Sequence, residues 1–176
     1  MKKIVKIIIT ILLIIPLNVL GKELILEDTT MFGGSEDDYI YQIKPTADEG
    51  YIAIGSTSST DINDLTNKGS SDGLLIKYNS DNIVQWKTTY GGSDFESFNR
   101  AIETTSGDII AVGVSTSNDL FDKDGTKHRG GVTVKYDKDG NIIWQRSIGG
   151  NGIENVVASC GTAMTAEHVK LLCRYT

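Results

Sequence analysis

An all-β fold built from repeated units is what this sequence predicts, on three observations. The pair Gly33-Gly34 returns as Gly91-Gly92 and again as Gly149-Gly150, each time after 58 residues. With no gap allowed, 15 of the 58 positions in 33–90 are identical in 91–148. Each period holds four short runs rich in β-branched and aromatic residues, and no stretch after the N-terminal segment keeps a helical period. A fixed period of this length marks a repeat architecture.

In the first unit the strands are expected at Tyr39–Thr46, Tyr51–Ser56, Gly73–Tyr78 and Ile83–Tyr90. In the second they are expected at Ser97–Thr105, Ile109–Ser115, Gly131–Tyr136 and Ile142–Ile148. Asp48-Glu49-Gly50, Ser106-Gly107-Asp108, Ser80-Asp81-Asn82 and Lys138-Asp139-Gly140-Asn141 supply the tight turns between them. Leu74-Leu75-Ile76 and Ile109-Ile110-Ala111-Val112 are apolar at consecutive positions, which implies cover on both faces of the strand. Small residues at Ala53, Gly55, Ala111 and Gly113 let neighbouring sheets come close. Four antiparallel strands per unit, covered on both faces by other units, describe a β-propeller blade better than a sandwich or barrel. A β-solenoid is the competing repeat fold, but its coils are shorter and poorer in hairpin turns.

The first residues read as a targeting segment. Lys2, Lys3 and Lys6 precede an apolar run of 14 residues from Ile7 to Leu20, and Val19-Leu20-Gly21 offers a peptidase site. A run this short, interrupted by Pro16 and Asn18, falls below the roughly 20 residues needed to span a bilayer. An exported chain starting at Lys22 is therefore expected. The domain reading follows from the period. Residues 1–21 are a signal peptide, and 22–34 a lone fourth strand of a preceding blade. The first blade is 35–92 and the second 93–150; 151–176 start a third with an aberrant tail. That makes about two and a half blades, short of the roughly four that a closed ring takes. After Cys160 the period fails. Either the tail is ordinary divergence or the reading frame changes there, since codons for Ala163–Glu167 read one frame over can spell a blade-like Asp-Asp-Gly-Gly turn. In both cases an open blade is left, and the isolated chain is expected to self-associate through it or to fold poorly.

Gly33-Gly34 with Asp38, Thr46, Ala53-Ile54-Gly55, Lys77-Tyr78 and Trp86 forms a spaced set. Gly91-Gly92 with Glu96, Thr104, Ala111-Val112-Gly113, Lys135-Tyr136 and Trp144 repeats it. The set resembles the bacterial secreted β-propeller repeat, the SBBP type, over roughly residues 24–160. The resemblance implies an exported or cell-surface scaffold of several blades, and it carries no catalytic set.

Charge narrows the partners. Losing 1–21 removes three positive charges and takes the formal net charge from −6 to −9, which disfavours nucleic acid and anionic membrane surfaces. Cys160 and Cys173 could pair as a disulfide outside the cytoplasm, but both lie outside the two complete units, so the fold does not depend on one.

Three features invite a chemical reading. Asp119, Asp122 and Asp124 could gather oxygens for calcium, but the loop lacks a closing glutamate and its first-unit copy, Asp61 to Asn67, is weaker. His128 beside Arg129 has no nucleophile or second base at catalytic spacing. Trp86 and Trp144 could stack a ligand, but a side chain reused in every unit more simply packs one unit on the next. Asp81 with Trp86 and Asp139 with Trp144 keep the spacing of the Asp-box of sialidase propellers, itself a folding element. No catalytic, cofactor-binding or metal-ligating residue is expected, and no cofactor. The expected function is a non-enzymatic exported scaffold for binding or surface display of an unknown protein or glycan ligand. The alternatives are a propeller lectin and a fragment of a propeller glycoside hydrolase, the latter needing two carboxylates at catalytic separation in a shared pocket.

Overall fold

The computed structural model describes residues 32–120 and 130–148. The described residues from Gly33 onward belong to one compact unit. They contain no helix, and their eight strands form two four-stranded antiparallel sheets, neither of which closes into a barrel. The first sheet is β1 (Asp38–Pro45), β2 (Tyr51–Thr57), β3 (Asp72–Tyr78) and β4 (Val84–Tyr90), in that spatial order. The second is β5 (Glu96–Glu103), β6 (Ile109–Ser115), β7 (Gly130–Tyr136) and β8 (Ile142–Ile148), likewise in sequence order. Each strand of the second sheet begins 58 residues after its counterpart. Even the irregularities recur. Bulges fall at Ile40/Gln42 and Phe98/Arg100, and again at Lys77/Tyr78 and Lys135/Tyr136. Residues 22–31 of the expected lone fourth strand, the tail from 149 onward and residues Asp122, Asp124 and His128 lie outside the described residues, while 32–34 are described and form no strand.

Turn chemistry sets the strand ends. Thr46 and Thr104, expected within strands, leave the ladder. Their N–H groups bond Gly50 and Asp108 carbonyls at 2.9 and 2.8 Å and close the hairpins instead. In the β3–β4 and β7–β8 hairpins, Asn79 and Asp137 side chains accept backbone N–H groups two and four residues on. Those turns need one left-handed residue. Gly140 fills it at φ 85°, and Asn82 fills the first at φ 62°, the short polar residue that best tolerates this region after glycine.

The core lies between the sheets. Ile52, Ile54, Leu75 and Tyr90 of the first sheet pack with Phe98, Ala101, Ala111, Val134 and Tyr136 of the second. Leu74, Leu75 and Ile76 are all buried, as their consecutive apolar character predicts. β5 touches β1, β2 and β3, so the first strand of the second sheet lies against the face of the first. Phe98 stacks on Tyr90 at 5.6 Å and meets the Tyr136 ring edge-on at 6.3 Å, which places the largest side chains at the sheet junction.

Candidate functional site

The repeated acids meet the repeated glycines. Gly34 and Gly92 each donate a backbone N–H to the acid four residues on, Asp38 and Glu96, at 2.7 Å in both sheets. The same carboxylates hold the end of the second strand. Asp38 accepts the hydroxyls of Thr57 and Ser59, and Glu96 accepts Ser115 Oγ at 2.6 Å and the Ser117 N–H at 3.2 Å. A second acid completes the latch: Asp61 and Asp119 accept the N–H groups of Ser35 and Ser93, both at 2.9 Å. A side chain at Gly34 or Gly92 would run into Asp61 or Asp119, which is why glycine stands there twice.

Electrostatics follow this geometry. Burial pushes the Asp38 carboxyl up, but hydrogen bonds from Thr57, Gly34 and Ser59 outweigh it and leave the group below its ordinary value. The Ser93 N–H likewise lowers Asp119. Asp61 and Asp119, read in the sequence as parts of an acidic loop, thus bond backbone donors of the glycine turn. Among the described residues no three His, Cys, Asp or Glu side chains group as a metal site.

The junction between the sheets holds a carboxylate that the period does not account for. Asp72 is fully buried at the start of β3, where Gly130 stands in the second unit. Its neighbours are the β5 junction. Ser71 bridges Phe95, and the Glu96 N–H donates to the Ser71 carbonyl at 2.7 Å. Asp72 receives long bonds, at 3.3 Å, from the Lys68 N–H, and the Gly69 N–H also holds it. Burial raises its carboxyl to about 6; the Lys68 N–H opposes the rise and the Glu96 charge adds to it. Two buried acids on adjoining sheets superficially resemble a catalytic pair, but Glu96 spends its oxygens on Gly92, Ser115 and Ser117.

Trp86 joins the sheets. Its indole N–H donates to the Lys138 carbonyl at 2.8 Å, and its ring lies against Gly140 in the β7–β8 hairpin. This is the packing role expected from its repetition. His128 and the Asp122–Asp124 part of the acidic loop lie outside the described residues. Lys77 and Lys135, the repeated lysines, pair with Asp48 and Asp108 of the preceding hairpin at 2.8 Å each. The Lys77 hydrogen bond pulls Asp48 down to about 2. The lysine of the repeated Lys-Tyr motif is therefore a hairpin brace.

Sequence reasoning missed Asp72 and Gln42. Gln42 Oε1 accepts the Ala101 N–H across the sheets at 2.8 Å. Asp72 carries one readable signal, a lone acid at the head of the apolar run Leu74–Ile76; Gln42 carries none.

β1 is the surface that stands apart. Tyr39 and Tyr41 are exposed, and their rings lie nearly parallel at 6.0 Å. No family model matches this chain, and no curated protein is detectably similar to it.

Proposed function

We propose that this chain is a non-enzymatic, exported scaffold whose two sheets are successive blades of a β-propeller, used for binding or surface display. Three features support the blade reading. Each sheet has four antiparallel strands in sequence order, the two share one register and one set of bulges, and β5 packs on the face of the sheet before it. The observation that carries the functional reading is the use of the repeated acids. Asp38, Asp61, Glu96 and Asp119 all bind backbone N–H groups of the Gly-Gly turns, so the acids that recur shape loops instead of facing a common pocket. Loops at the strand ends are then free to vary and to hold ligand contacts, as repeat surfaces do.

Export rests on the basic and apolar start, Lys2 to Leu20. N-terminal sequencing of the mature protein is expected to begin at Lys22, and a start at Met1 would place the chain at the membrane. A glycan and protein array probed with the purified chain tests the rest. Retention of a ligand without turnover is the expected result. Consumption of an arrayed glycan would establish the glycosidase alternative, and retention of glycans alone the lectin.

A further inference from the structure

Two fully buried carboxylates lie at the seam where the second sheet meets the first, Asp72 at the head of β3 and Glu96 at the head of β5. The backbone beside them ties the sheets together. The Glu96 N–H donates to the Ser71 carbonyl at 2.7 Å, the Ser70 N–H to the Asp94 carbonyl at 2.9 Å, and Ser71 bridges Phe95. The two acids are unequally provided for. Glu96 accepts the Gly92 and Ser117 N–H groups and the Ser115 hydroxyl. Asp72 has the Lys68 N–H, at 3.3 Å from each oxygen, and the Gly69 N–H. Thr57, its partner across the β2–β3 ladder, gives its hydroxyl to Asp38 instead. On the side of β4, Asp72 lies against Gly91, where a Cβ would fall 2.2 Å from Oδ1. The charged groups acting on Asp72 are Glu96, of the same sign, and Lys68, which is exposed and also acts on Asp119. Gly130 stands at this place in the second sheet, so the acid serves the seam and not the repeat.

We infer that this seam is a pH-operated lock: a proton on Asp72 closes it, and loss of that proton loosens it while the strands within each sheet stay paired. A carboxylate taken out of water with few donors, beside a second buried carboxylate, is costly in its charged form. Opening the seam returns Asp72 to water and away from Glu96, so the open form binds the proton less tightly. The closed carboxyl titrates at about 6 against an ordinary 3.8, so closure is favoured fully below pH 3.8 and weakens as pH rises through 6. The seam is able to open by itself because its links sit among exposed residues, Lys68, Ser70, Asp94 and Phe95, at the strand ends. Backbone bonds in such places open at lower cost than the ladders of a buried sheet. The inference holds whether or not the sheets are propeller blades.

Hydrogen exchange of the whole chain tests it, followed amide by amide by NMR at pH 5 and pH 7.5 and corrected for the intrinsic rate. Protection of the Ser70 and Glu96 amides should fall roughly tenfold over that interval, the change produced when opening moves the carboxyl from about 6 to 3.8. At pH 7.5 both should exchange faster than the amides of the central strands β2 and β3, which marks the opening as local. Asp72→Asn keeps the shape of the side chain without its charge, and its seam amides should be equally protected at both pH values. Should that variant fail to fold, the carboxyl carbon of Asp72 in the unaltered chain can be titrated by NMR, with a midpoint near 6 expected. Four results would overturn the inference: seam protection equal at pH 5 and pH 7.5, seam amides as well protected as those of β2 and β3 at pH 7.5, a fall that persists in Asp72→Asn, or a carboxyl midpoint at the ordinary 3.8.

Discussion

β1 and β5 hold the same place in their sheets, carry the same bulge and pair with the same register, yet one is open and the other buried. Their backbones are set by shared features: a glycine turn before the strand, an acid at its head and a threonine just past its end. Their side chains are set by what lies outside the sheet. β5 meets β1, β2 and β3, so Phe98 replaces Ile40 and fills the space between Tyr90 and Tyr136. The period thus encodes how each sheet is built, and departures from the period encode where a sheet meets its neighbour.

The largest effect should come from truncating the two counterparts. Phe98→Ala removes a fully buried ring at the junction and is expected to cost about 3–5 kcal/mol by urea denaturation. Ile40→Ala removes a half-exposed side chain and should cost less than about 1 kcal/mol in dilute protein. Equal losses would mean that β1 is as well covered as β5.

Next in size is Asp72, the acid beside β5 with no counterpart in the second sheet. Its folded carboxyl is raised to about 6 from an ordinary 3.8, so the native state binds the proton more tightly than the unfolded chain. Its effect is a penalty: full above pH 6, it is relieved as pH falls toward 3.8, so stability from this group rises on acidification. Asp72→Asn should stabilise the protein at pH 7.5 by on the order of 1–3 kcal/mol and flatten the pH dependence between about 4 and 6. A loss of stability at pH 7.5 would show instead that the charge is compensated.

The latch acids should behave alike in both sheets. Asp61→Ala and Asp119→Ala each remove an acceptor from an exposed turn N–H and should lower the melting temperature slightly and by similar amounts. Calcium should raise the melting temperature of none of these proteins. A calcium-dependent rise that Asp119→Ala abolishes would assign the loop to a metal after all.

The smallest effect is expected at the hairpin brace. Lys77 holds Asp48, whose carboxyl at about 2 lies below the ordinary 3.8, so this contribution is present above pH 3.8 and lost as pH falls toward 2. Asp48 is half exposed, and screening should limit Asp48→Asn to less than about 1 kcal/mol at neutral pH, read by thermal melts in low and high salt.

Much of the fold was legible because the period repeats local chemistry. Strand ends came within two residues of the expected ones, and Gly140 took its expected left-handed turn. Asn82, at the same place in the first unit, adopts the same conformation. Trp86 was legible as a packing residue for the same reason. The rest depends on contacts between residues far apart in the chain. Asp61 looks like part of an acidic loop until the fold brings Ser35 to it across 26 positions. Gln42 and Asp72 are single residues without a repeat to mark them, and only the packing of one sheet on the other gives them a role.

The difference between β1 and β5 is most directly read by hydroxyl-radical footprinting of dilute protein, with oxidation of each side chain followed by mass spectrometry. Tyr39 and Tyr41, both exposed, should be oxidised far faster than the buried Phe98 and Tyr136. Equal protection of all four rings in dilute protein would contradict the account, because β1 would then be covered as β5 is.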